Sequence, residues 1–198
     1  MTARATALVA GLVALVSVAA GCATRTVDVG YPQTEAKKAL LANVAARRIV
    51  VAPVTDRRGD KERIGASPED RKPIVTARPV ADIVREALVL EVQNNGHQVV
   101  PGPGDVVLAT DVDEFWLDTV GRSKTTQYVG RVAIAVSVAD GATGERLLTR
   151  RYVGIRRRTA EADSKAAWRE IMDMALARTI RDLATDPDLA LTVARTSR

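Results

Sequence analysis

The stretch Arg131–Arg158, RVAIAVSVADGATGERLLTRRYVGIRRR, decides the fold class. Val132, Ile134, Val136 and Val138 alternate with the small residues Ala133, Ala135, Ser137 and Ala139. A period of two puts the first set on one face of a strand and the second on the other. Asp140–Gly144 (DGATG) supplies turn residues, and a return strand is expected from Arg146 to about Arg157. Upstream, Val106, Leu108, Thr110, Val112 and Trp116 alternate with Asp111 and Asp113, which predicts another strand with one wet face.

Helical patterns flank these strands. Pro79 suits a first helical turn, where its missing N–H costs nothing, and Val80, Ile83, Val84, Ala87, Leu88 and Leu90 follow at helical spacing. Gly96 supplies the stop. Asp163 or Ser164 is placed to cap a closing helix whose buried stripe is Trp168, Met172, Ala175, Leu176, Thr179 and Leu183. Asp186-Pro187 ends that helix, and a short turn over Leu189–Val193 packs back. Arg48–Thr55 (RIVVAPVT), Ile74-Val75 and Gln98–Val100 read as short extended pieces, with an exposed loop over Asp60–Lys72. The order is strand, helix, a run of strands, helix. This implies an α+β two-layer sandwich, a mainly antiparallel sheet with two helices packed on one face.

The chain has 198 residues, 46% hydrophobic and 27% charged, as expected of one globular domain. Aromatics are 3%, so Val, Ala, Leu and Ile must build the core. One histidine, His97, and one cysteine, Cys22, exclude a Cys/His zinc site and an internal disulfide.

Residues 1–24 differ from the rest. Arg4 is their only charge, and Ala7–Ala20 is an apolar run of about 14 residues, the length of a signal-peptide core. It ends in Val18-Ala19-Ala20-Gly21-Cys22, which resembles a bacterial lipobox, the motif in which the cysteine is acylated and becomes the first mature residue. The expected organisation is a lipoprotein signal peptide over 1–21, a lipid-anchored tether over 22–47 and a single α+β domain over 48–195. Removing residues 1–21 takes away Arg4 and no carboxylate, so the formal charge falls from +5 to +4. Resemblance to lipoproteins of Gram-negative bacteria, with Ala23 rather than aspartate after the cysteine, implies the outer membrane, facing the periplasm.

Catalytic, cofactor and metal residues are not identified. Asp111, Asp113, Glu114 and Asp118 lack the spacing of an EF-hand and read as the solvent face of a strand. His97 has no nucleophile to serve and reads as a surface or loop residue. Pro101–Asp105 (PGPGD) is followed by a strand rather than a helix and so is not a phosphate loop. Arg150, Arg156 and Arg158 share one strand face, where they either guard a sheet edge or contact an anionic surface. Nucleic acid is not expected as a partner, because stacking aromatics are scarce and the chain reads as exported.

The mature chain is similar to the YajG-like family of bacterial lipoproteins over about residues 45–190. The points of contact are Cys22, Val54-Thr55-Asp56-Arg57-Arg58, Asn95-Gly96-His97, Asp105-Val106-Val107-Leu108, the Gly141–Gly144 hairpin and Asp182-Leu183-Ala184-Thr185-Asp186. The resemblance implies an auxiliary of an envelope transport system and offers no catalytic residues. The expected function is that of a non-enzymatic envelope lipoprotein, anchored to the membrane through acylated Cys22 and binding an envelope protein partner; the alternative is a lipid-binding auxiliary subunit of an envelope ABC transport system.

Overall fold

The computed structural model describes residues 24–32, 39–121, 125–160 and 164–196. Its spine is a meander of three long strands: β7 (Val106–Gly121), β8 (Thr126–Asp140) and β9 (Arg146–Ala160). They pair antiparallel over nearly their whole lengths, and the turn between β8 and β9 falls where DGATG places it. The free edge of β7 is lined by short strands: β2 (Arg48–Val51), β3 (Thr55–Asp56) and β4 (Gly65–Ala66), all parallel to it. β6 (Gln98–Val99) extends the sheet beyond β2; β5 (Pro73–Thr76) and β1 (Arg25–Val27) extend it beyond β4.

The α+β class therefore holds, and two details change. The sheet is mixed rather than mainly antiparallel in its pairings, because every strand that meets the free edge of β7 runs parallel to it. The described residues form three α-helices: α1 (Val80–Asn94), α2 (Lys165–Ala184) and α3 (Pro187–Arg195). The chain expected as a final turn is thus a full helix, started by Pro187 and by the Asp186 side chain, which accepts a hydrogen bond from the Asp188 N–H. Ser164 caps α2 by accepting from the Ala167 N–H, and Gly96 follows α1 at φ +88°.

Helix α2 lies across β8 and β9, and all six residues of its expected stripe are buried. Two glycines set how close it comes. A Cβ at Gly154 would sit 2.2 Å from the Ala175 carbonyl oxygen and 2.4 Å from Thr179 Oγ1. A Cβ at Gly130 would sit 2.7 Å from Ile171 Cγ2. The Thr179 hydroxyl lies 3.1 Å from the Val132 carbonyl oxygen and 3.0 Å from that of Ala175, which it faces as a donor. Trp168, fully buried, closes the far end of the stripe.

A bulge at Asp113 corrects the reading of β7. Val112 pairs with Ile134, but the next pairs are Glu114 with Ala133 and Phe115 with Val132. One extra residue shifts the alternation, so Phe115 is buried and Trp116 turns to the opposite face.

The N-terminal segment differs most from expectation. The described residues of the expected tether over 22–47 are part of the domain. β1 pairs with β5, and Val27, Val29 and Leu41 are buried in the core. Four backbone or side-chain groups fasten the segment to the helices and the loop that follows α1. The Gly30 N–H donates to Asp173 Oδ1 on α2 at 2.9 Å, and the Tyr31 hydroxyl donates to Glu91 on α1 at 2.6 Å. The Ala39 N–H donates to Asn95 Oδ1 at 3.0 Å, and the Arg47 N–H donates to His97 Nδ1 at 3.2 Å. Cys22 lies outside the described residues.

The glycine seat predicts a measurable asymmetry. Gly154→Ala is expected to lower stability by about 1–3 kcal/mol, the usual cost of overpacking. Gly59→Ala, where a Cβ meets nothing within 4 Å, is expected to change it by less than about 0.5 kcal/mol. Denaturant melts of the two variants check this, and equal midpoints would remove the constraint.

Candidate functional site

The meander has a second face, opposite the helices, and the register places its side chains in rows. Val153 lies beside Ala133 and Glu114; Ile155 beside Arg131 and Trp116; Arg157 beside Val129 and Asp118. Val153 and Ile155 are exposed, at 37% and 45%. Charged pairs surround them. Arg151 reaches Asp113 at 3.0 Å, and Arg57 reaches Asp111 at 3.1 Å. Arg131 reaches both Glu114 and Asp118 at 2.6 Å. The Trp116 indole N–H donates to Asp118 at 2.8 Å, and the Arg63 guanidinium lies 5.8 Å from its ring centre. A shallow cleft of about 260 Å³ opens here between Arg58, Asp60, Trp116 and Arg131.

The four carboxylates singled out in the sequence are therefore each held by an arginine, as a solvent-facing strand would hold them. Among the described residues, three or more His, Cys, Asp or Glu side chains do not come together in a metal-binding group. Such a surface offers apolar contact ringed by fixed charges, which suits recognition of another surface.

Arg150, Arg156 and Arg158 do share a face, as the alternation requires, but it is the helix side. Arg150 bridges to Asp186 at 3.1 Å and Asp188 at 2.7 Å, and Arg158 pairs with Glu170. Arg156 points the same way, with a buried Nε that has no hydrogen-bond partner among the described residues. Two of the three arginines read as either an edge guard or an anionic-surface contact are thus paired with carboxylates of α2 and of the α3 start. The Tyr152 hydroxyl donates to the same Asp186 at 2.7 Å. Burial pushes the Asp186 carboxyl up. The hydrogen bonds from Tyr152 and the Asp188 N–H, with the Arg150 charge, outweigh burial and leave it below the ordinary range.

His97 is buried rather than on the surface. Its Nδ1 accepts from the Arg47 N–H, so its Nε2 carries the proton and donates to the Leu41 carbonyl at 3.0 Å. This needs the neutral ring. A lone histidine after a helix stop gives no sequence signal of that role, because both partners are backbone groups 50 and 56 residues away.

No family model matches the chain, and no curated protein matches it in sequence. A solved structure does share its fold. A Xanthomonas campestris protein of family DUF330 superposes with a TM-score of 0.57 at 17% identity, covering 85% of this chain and 95% of that one. Looser matches are a Caulobacter crescentus protein described as a lipoprotein and a minor lipoprotein from Acinetobacter baumannii. The first has TM-score 0.46 and 17% identity, covering 79% of this chain and 94% of that one. The second has TM-score 0.41 and 12% identity, covering 75% and 95%. The DUF330 likeness establishes a shared α+β fold. Among the described residues, no helix is long and apolar enough to cross a membrane.

The neutral clamp at His97 predicts a pH effect. Burial, helped by the Arg47 charge, holds its pKa below the ordinary 6.5 against the opposing Leu41 hydrogen bond. The unfolded chain then takes up a proton near pH 6.5 while the folded chain does not. Stability is therefore fully present above that pH and falls as pH drops towards the folded pKa. The single histidine C2–H resonance should titrate with a midpoint below 6.5, and a midpoint at or above it would contradict the clamp.

Proposed function

We propose that this chain is a non-enzymatic lipoprotein of the bacterial envelope. It is held to the outer membrane by acyl chains on Cys22, faces the periplasm and binds an envelope protein. The observation that carries this reading is the run Val18-Ala19-Ala20-Gly21-Cys22, which closes an apolar segment three residues before β1 begins at Arg25. An acylated cysteine gives stable anchorage when it carries two or more chains, since each buried methylene contributes about 0.8 kcal/mol. The resemblance to YajG-like lipoproteins supports the same class, as do the lipoprotein descriptions of the Caulobacter and Acinetobacter structures.

The partner surface assigned here is the open face of the meander around Trp116, Val153 and Ile155. Its exposed apolar side chains lie among arginines already fixed by carboxylates, so little side-chain order is lost on binding. The clefts are lined largely by charged groups, such as Arg58, Lys61, Glu62, Arg63 and Arg78, which suits a polar contact better than a lipid held inside.

Cys22→Ser tests the anchor. The variant should take up no labelled fatty acid and should accumulate as uncleaved precursor. Undiminished labelling would overturn the assignment.

A further inference from the structure

We infer that the domain stands upright on an anionic phospholipid surface, on the end where β7 finishes and α2 begins. This rests on the reading of Cys22 as the anchor and adds the orientation that the topology imposes on it.

The pairings fix which end is nearest Cys22. β4 runs parallel to β7, with Gly65 opposite Leu117, and the Thr119 hydroxyl donates to the Ala66 carbonyl. β5 returns antiparallel to β4, and β1 lies parallel to β5 with Arg25 opposite Ile74. Arg25 therefore enters at the end of the sheet where β7 finishes. Gly121 lies against Pro68 there, and Thr126 pairs with both Gly121 and Ala160. The Arg25 guanidinium sits 5.7 Å from the Trp168 ring centre in the first turn of α2. Arg25, the loop Ser67–Lys72, Gly121, Ala160 and Lys165 thus share one end.

Two residues, Ala23 and Thr24, separate Cys22 from Arg25, which is three chain steps, and an extended chain covers at most about 3.5 Å per step. The anchor leaves this end within about 11 Å of the membrane.

The charge of the described residues at this end fits that position. Arg25 is paired with Glu69 and Asp70, Lys72 with Asp70, and Arg158 with Glu170. Asp118, level with Arg157, is taken by Arg131. Arg71, Arg157 and Lys165 are exposed and form no ion pair among the described residues. Each such cation near an anionic lipid surface strengthens association about fivefold, so three together give about a hundredfold. The β8–β9 turn lies at the opposite end, about 45 Å away along strands of this length.

The test uses the acylated mature protein in phosphatidylcholine vesicles, with and without phosphatidylglycerol. A spin label is placed at Ala166→Cys in the first turn of α2 or at Ala142→Cys in the far turn. With phosphatidylglycerol, the label at 166 should lose at least severalfold of its collisions with an aqueous relaxing agent, while the label at 142 keeps them. Changing Arg71, Arg157 and Lys165 to glutamine together should abolish that loss and leave the melting temperature unchanged. Equal water exposure of both labels in both lipids, or shielding of 142 instead, overturns the orientation. Failure of the protein to enter vesicles at all overturns the anchor reading itself, and the orientation with it.

Discussion

Helix α2 sits on bare backbone. Where it crosses β8 and β9 the strands present Gly130 and Gly154, and a methyl group at either would collide with the helix. That approach lets Thr179 face the Val132 carbonyl and lets Trp168, Met172, Leu176 and Leu183 fill the sheet face around it. A chain with so few aromatics gains its core by closeness rather than by bulk, since dispersion and burial both depend on contact without gaps.

The same seat places two groups that the rest of the molecule uses. Asp173, on α2, receives the Gly30 N–H, and Trp168 lies under Arg25. With Glu91, Asn95 and His97 they hold the N-terminal segment across the helices. The chain next to Cys22 is therefore structural, and the proposed anchor has almost no slack. An acylated protein built this way does not swing on a tether; its orientation is set by which end β1 enters. In the proposed orientation the open face of the meander stands roughly perpendicular to the membrane, with Trp116, Val153 and Ile155 available from the side.

Much of this was legible in the sequence because it depends on local periodicity. The alternation in Val132–Val138, the DGATG turn, the stop at Gly96 and the stripe of α2 all fall where the residues place them. What escaped depends on distant partners. Strands of two to four residues carry too little pattern to announce their parallel pairing with β7. The bulge at Asp113 lies beside a second acidic residue, Glu114, and leaves no mark in the alternation, so Trp116 read as core and Phe115 did not. The described part of residues 24–47 looked like a tether because its bonds run from main-chain N–H groups to side chains far along the chain. Arg150 and Arg158 were placed on one shared face, but only the packing of α2 and α3 shows that it is the helix side and that it supplies their carboxylates. The proposed lipid site at Cys22 rests on its sequence context alone and lies outside the described residues.

The central claim is that the chain becomes structure almost immediately after Cys22. Native-state hydrogen exchange at the amides of Gly30, Ala39 and Arg47 tests it most directly, because each donates to a named side chain. The account predicts strong protection at all three, comparable to the amides of β8 and lost only in large-scale opening. Exchange at the rate of an unstructured peptide would show that this segment is a tether after all, and would remove the basis for the orientation.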